Sequence, residues 1–154
     1  MYQGYNPELD FSSEMSIMFW IKNWNAQESL LHRGPDTTRN STTSFFLYCD
    51  SGNDLRFTVT SNGSTEQGTE IQMPRDTTGW IHVCFTKLNN SIKGYLNGVH
   101  MVNNTTSGNI FSQANNKNGL YIGRGPVGNH FTGDMALLKL SSTAPTESEV
   151  AKIY

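Results

Sequence analysis

Tyr95-Leu96-Asn97-Gly98-Val99, Leu120-Tyr121-Ile122-Gly123-Arg124-Gly125, Phe131-Thr132-Gly133-Asp134-Met135-Ala136-Leu137-Leu138-Lys139-Leu140 and Ala144-Pro145-Thr146-Glu147-Ser148-Glu149-Val150 follow one another through the last third of the chain. Asn97-Gly98 between two apolar runs favours a type I′ hairpin, because both central positions of that turn need positive φ. The glycine-flanked Arg124 marks a tight β-connection into the next strand. Thr146 and Glu149 form a capping box, and Val150, Ile153 and Tyr154 give the helix that follows a short apolar stripe.

Working outward, strands are predicted near 28 to 33, 44 to 49, 54 to 60, 80 to 88, 91 to 96, 99 to 102, 119 to 123 and 133 to 140, separated by Gly, Asn, Ser and Pro clusters. Over residues 15 to 22, Met15, Ile17, Phe19 and Ile21 share one face and Ser16, Met18, Trp20 and Lys22 the other. Both faces carry apolar groups, as in a central strand. No repeat, linker or low-complexity tract interrupts the pattern, so residues 1–154 are expected to form one all-β domain, a two-sheet antiparallel sandwich with a short C-terminal helix.

Composition excludes several partners. Only 16% of residues are charged and the net charge is -2, which leaves no basic stripe for nucleic acid. No apolar run is long enough to insert into a membrane. The start, Met1-Tyr2-Gln3-Gly4-Tyr5, lacks a signal-peptide pattern. An excised domain, or a protein released by virion assembly and lysis, would fit that start, and the expected location is extracellular or the virion surface. Five Asn-x-Ser/Thr sequons, beginning at Asn40, Asn62, Asn89, Asn103 and Asn104, are expected by chance in so Asn-rich a chain. Cys49 and Cys84 lie inside apparent strands and are expected as buried thiols rather than a disulfide.

With Trp80-Ile81-His82-Val83, the ordered motifs of the last third closely resemble the laminin G-like, concanavalin A-like lectin and glucanase superfamily, from Phe11 through Val150. The resemblance implies a jelly roll whose rim loops bind sugars, proteins or calcium. Within it, Trp80, Ile81, Val83 and Phe85 look like a core strand and Trp20 like sandwich packing. The retaining glucanases of the superfamily carry a Glu-x-Asp-x-Glu or Glu-x-Asp-x-x-Glu pattern on an inner strand, because retention needs two carboxyls about 5 to 5.5 Å apart. Glu8-Leu9-Asp10 followed by Glu14 has the wrong spacing, and no enzyme activity is expected. Zinc-type His or Cys pairing and a Gly-x-Ser-x-Gly elbow are also missing from the sequence. Laminin-type members place an acidic residue just before the strand matching Phe45 to Tyr48; this chain has Thr42-Thr43-Ser44 there. Asp50, Asn53 and Asp54 offer hard oxygens in one short turn and are candidate calcium ligands, beside the alternative that they only shape the turn.

These readings converge on a non-catalytic, lectin-like module for carbohydrate or a glycoconjugate surface, with virion receptor binding as one setting. Sugar recognition wants aromatic platforms for pyranose faces and fixed polar groups for hydroxyls, carried on loops over a rigid sandwich. The candidate ligand-binding residues are Trp24, Arg39, Asn40, Arg124, Asn129 and His130. Each has a plainer alternative: Trp24 folding over the sandwich edge, Arg39 solvated, and His130 closing the turn before Phe131. The rival function is a structural or adhesion domain, such as a virus decoration or tail-fibre module or an extracellular protein-binding module, whose partners are other virion or extracellular proteins.

Overall fold

The computed structural model describes residues 1–35, 42–125 and 129–154. Its strands run β1 (Tyr2–Gln3), β2 (Glu14–Lys22), β3 (Glu28–Arg33), β4 (Phe45–Cys49), β5 (Leu55–Thr60), β6 (Glu66–Ile71), β7 (Ile81–Leu88), β8 (Ser91–Leu96), β9 (Val99–Thr105), β10 (Leu120–Ile122), β11 (Asn129–His130) and β12 (Asp134–Ser141), followed by α1 (Glu147–Ile153). One sheet has the order β1-β10-β3-β4-β5-β6, with β11 added parallel to β3; the other has the order β12-β2-β7-β8-β9. Every other pairing is antiparallel among the described residues. The two sheets form the expected jelly-roll sandwich.

The inner faces supply its core. Met15, Ile17, Phe19 and Ile21 are all fully buried, facing Phe45, Leu47 and Phe57 of the other sheet. Phe57 meets Phe85 across the sandwich at 5.3 Å between ring centroids. Each such side chain contributes roughly 1.5–3 kcal/mol through the water it sheds. Lys87 also points inward, pairing beside Ile92, and ends in hydrogen bonds from Nζ to the carbonyls of Asn89 (2.6 Å) and Gly108 (3.2 Å). Its buried charge holds two loops at one end of the sandwich. Cys49 and Cys84 are free and buried; burial pushes the Cys84 thiol up to about 12 and that of Cys49 well above its ordinary range.

The local signals behave as their chemistry dictates. Asn97 and Gly98 take φ of 48° and 76°, the pair of positive values a type I′ turn demands. Thr146 caps α1 through its hydroxyl, and Glu149 Oε2 accepts from the Thr146 amide at 2.7 Å. Val150 then packs on Met18, Cys84 and Tyr95, on the outer face of the five-stranded sheet. Ile153, expected in the same stripe, is instead half exposed.

Two expectations about tryptophan are corrected. Trp80 precedes β7 and is 44% exposed rather than core, because its side chain falls on the outward phase of the strand, beside Lys22. Trp20 packs on the outer face against Tyr154 and His82, not between the sheets. Strand β6 was not among the predicted strands: Glu66-Gln67-Gly68-Thr69-Glu70-Ile71 buries only Thr69 and Ile71, which suffices at a sheet edge.

Candidate functional site

Glu28, together with Gln27 beside it, ties three rim segments together. Its side chain is 3% exposed, with Oε2 accepting from the Asn25 amide (3.1 Å) and Oε1 from Asn25 Nδ2 (3.3 Å), the Thr132 amide (3.2 Å) and the Thr132 hydroxyl. Gln27, held at a φ of 62°, donates its amide to the Asp50 carbonyl (3.1 Å) and accepts from the Asn129 amide (2.7 Å). The turn after β4 and the segment entering β11 therefore share one rim with residues 23–27. A buried carboxylate surrounded by donors is costly to place in a core and is satisfied here only because loop residues converge on it.

After β10, residues 123–125 run over the outer face of the seven-stranded sheet. Gly123, at φ 70°, donates to the Leu30 carbonyl and accepts from the Phe131 amide. A Cβ on Gly125 would lie 2.7 Å from Phe46 Cε2 and 2.8 Å from Ser29 Oγ, so this position must be glycine for the backbone to lie so close to the sheet. Beneath runs a row of outward side chains in register: Tyr2, Tyr121, His32, Phe46 and Thr58. Tyr2 and Tyr121 are 4.7 Å apart between centroids, His32 stacks on Tyr121 at 6.1 Å and meets Phe46 edge-on at 5.4 Å, and Phe46 stacks on Tyr48 at 4.8 Å. The middle of the row is buried. One end is open: Tyr2 is 56% exposed and Tyr121 half buried, with the Arg124 guanidinium 5.9 Å from the Tyr121 ring centre.

A second row places Ser29, Tyr48, Arg56 and Glu70 side by side. Burial first, and then the neighbouring Asp50 carboxylate, raise the Glu70 pKa, while Arg56 opposes the shift. This end of the face thus mixes a half-buried ring with a cation and hydrogen-bonding carboxyls.

The sequence-level candidates separate in the structure. Arg124 follows β10, and Asn129 and His130 form β11 beside β3; all three are exposed. Trp24 is corrected: it is 1% exposed and part of the main core, because Asn23 at φ 55° turns the chain back and drives the indole between the sheets. Its ring offers no surface to a ligand. Arg39 and Asn40 lie outside the described residues. Asp50, Asn53 and Asp54 share a turn in which Asp50 Oδ1 accepts from the amides of Gly52 (2.8 Å) and Asp54 (3.1 Å), and Asp54 Oδ1 accepts from the Met73 amide (2.9 Å). Asp50 Oδ1 and Asp54 Oδ1 thus serve backbone donors, while Asn53 Oδ1 is buried without a hydrogen-bond partner; among the described residues no three His, Cys, Asp or Glu side chains are grouped to hold a metal.

The aromatic row and the Glu28 tie were not singled out from sequence. The available signal was Phe45-Phe46-Leu47-Tyr48, which is apolar on both faces and so announces an outer face that something must use or cover.

The chain belongs to the concanavalin A-like lectin/glucanase superfamily, whose profile matches residues 4–151. No curated protein matches it. Among solved structures it is similar to the CBM40 domain of the Ruminococcus gnavus IT-sialidase bound to α2,3 sialyllactose, with TM-score 0.75 and 16% identity over 99% of this chain and 92% of that one. It is also similar to domain 4 of AbnA, a GH43 extracellular arabinanase of Geobacillus stearothermophilus in complex with arabinotriose, with TM-score 0.68 and 18% identity over 93% and 67% of the two chains. A third similar structure is that of botulinum neurotoxin type C, described as interacting with two ganglioside molecules, with TM-score 0.64 and 18% identity; this chain covers 35% of it. At these identities the likeness carries the fold.

Proposed function

We propose that this member of the superfamily is a non-catalytic, extracellular glycan-binding module whose ligand rests on the outer face of the seven-stranded sheet. The observation that carries the reading is the open end of the aromatic row, Tyr2 and Tyr121 beside Arg124, on a sheet whose β11 also carries the exposed Asn129 and His130. Rings of this kind take the apolar face of a sugar, and the adjacent guanidinium and amide take its hydroxyls or a carboxylate. The sugar ligands named for two structures of the same fold support the reading. The carboxyls that came nearest to a glucanase pattern serve other contacts: Asp10 accepts from Ser112 and Gln113, and Glu14 accepts from the Ala144 amide.

A glycan array, probed with and without calcium, tests the proposal. Saturable binding to a defined glycan class is expected. Tyr121→Ala and Arg124→Ala should each weaken the best hit several-fold, on the scale of about 1 kcal/mol per lost contact. A blank array, or hits unchanged in both folded variants, would favour the adhesion-domain alternative.

A further inference from the structure

The opposite face of the sandwich carries an aromatic surface of its own. Trp80 is 44% exposed and Tyr154 56% exposed, and Tyr154 lies stacked on the half-buried Trp20 at 5.9 Å. His82 fills the floor between them, 5.3 Å from the Trp20 ring and 6.2 Å from that of Tyr154. Trp20 pairs directly with His82, and Trp80 sits two residues before His82 on the same phase, so all four rings lie on the same outer face of the five-stranded sheet, with Trp80 beside Lys22. Isolated exposed aromatics need no explanation, but large rings gathered at one place on a chain this polar do.

The polar groups around these rings narrow the occupant. Lys22 Nζ lies 5.0 Å above the Trp80 ring centre and 3.8 Å from Asp134 Oδ2, which also accepts from Asn23 Nδ2 at 2.8 Å. Lysine and aspartate cancel each other's charge, so the rim presents a neutral set of donors and acceptors. Of these four rings only Trp80 and Tyr154 are exposed, which suits a small ligand. A compact, uncharged ligand with one apolar face and equatorial hydroxyls matches both facts.

We infer that Trp80 and the Trp20–Tyr154 stack form a second glycan-binding platform, taking a neutral pyranose ring, on the sheet opposite the first. The inference rests on the reading of the module as a glycan binder, but not on the location of the first platform. Two platforms on opposite sheets would let one module bridge two glycan chains.

The test follows the three indole N–H signals by NMR while neutral oligosaccharides released from desialylated mucin are added to the whole chain. The Trp80 signal is expected to shift saturably, in the parent and equally in Tyr121→Ala, while the buried Trp24 signal stays fixed. Trp80→Ala should weaken binding to the Tyr121→Ala protein about tenfold and Trp80→Phe should restore most of it. As Trp80 is a surface residue, neither variant should change the melting temperature by more than a degree or two. A Trp80 signal that stays still while array hits still depend on Tyr121 overturns this inference and leaves the first platform standing. A Trp80 shift that vanishes in Tyr121→Ala overturns it as well, by reducing the two platforms to one. Absence of any glycan binding refutes both platforms.

Discussion

Replacing Glu28 by Gln changes one atom and should loosen one rim. Every group around the carboxylate is a donor: the amide of Asn25 toward Oε2, and Asn25 Nδ2, the Thr132 amide and the Thr132 hydroxyl toward Oε1. A glutamine can keep its carbonyl on the Oε1 side, but its NH2 then faces the Asn25 N–H, donor against donor. Hydrogen bonds to a charged group are worth about 1.5–3 kcal/mol, and because Asn25 is exposed, water can take over part of the loss. The lower end, about 1.5 kcal/mol, is the expected cost, equivalent to roughly 4 °C in a domain of this length. Glu28→Ala removes all four interactions and should cost about 3 kcal/mol, near 9 °C. Thermal unfolding followed by circular dichroism measures both, and amide shifts of Asn25, Asn129 and Thr132 show where the change falls. A Gln variant that melts with the parent and leaves those amides unmoved would show that the carboxylate does not organise the rim.

Gly125→Ala should displace the crossing over Phe46 and Ser29, lowering array binding several-fold while the core still unfolds cooperatively; unchanged binding would mean that the crossing is not part of the site. Burial lowers the His82 pKa, so the unfolded chain takes up this proton more readily, and stability is lost as pH falls below about 6.5 toward the folded value. The melting temperature should therefore drop less between pH 7.5 and 5.5 in His82→Gln than in the parent; equal drops would exclude His82 as a source of the acid sensitivity. Native-state reaction of Cys49 and Cys84 with a thiol reagent should be slow at pH 8 and immediate in denaturant, because both thiols are buried with raised pKa values; fast native labelling of either would contradict the packing.

The parts of this molecule that were legible from sequence are those whose chemistry is local. Asn97-Gly98 forces its turn through backbone sterics, and Thr146 with Glu149 caps a helix whatever lies beyond it. The alternation of Met15, Ile17, Phe19 and Ile21 identifies an inward face because one-residue slips would expose the whole set. Tryptophan is where this reasoning stops. Trp24, flanked by Asn23 and Asn25, has the surroundings of a loop residue, yet one positive φ at Asn23 sends it inward; Trp80, followed by the apolar Ile81 and Val83, has the surroundings of a core residue, yet strand phase sends it outward. In both cases a single backbone angle or register decides, and neither is written in residue type. The aromatic row is hidden for a related reason. Tyr2, Tyr121, His32 and Phe46 come from four strands up to 119 positions apart, and only the pairing of β1, β10, β3 and β4 lines them up. An aromatic row assembled across a sheet has no sequence motif, so in this fold the scaffold can be read along the chain while the row has to be read across it.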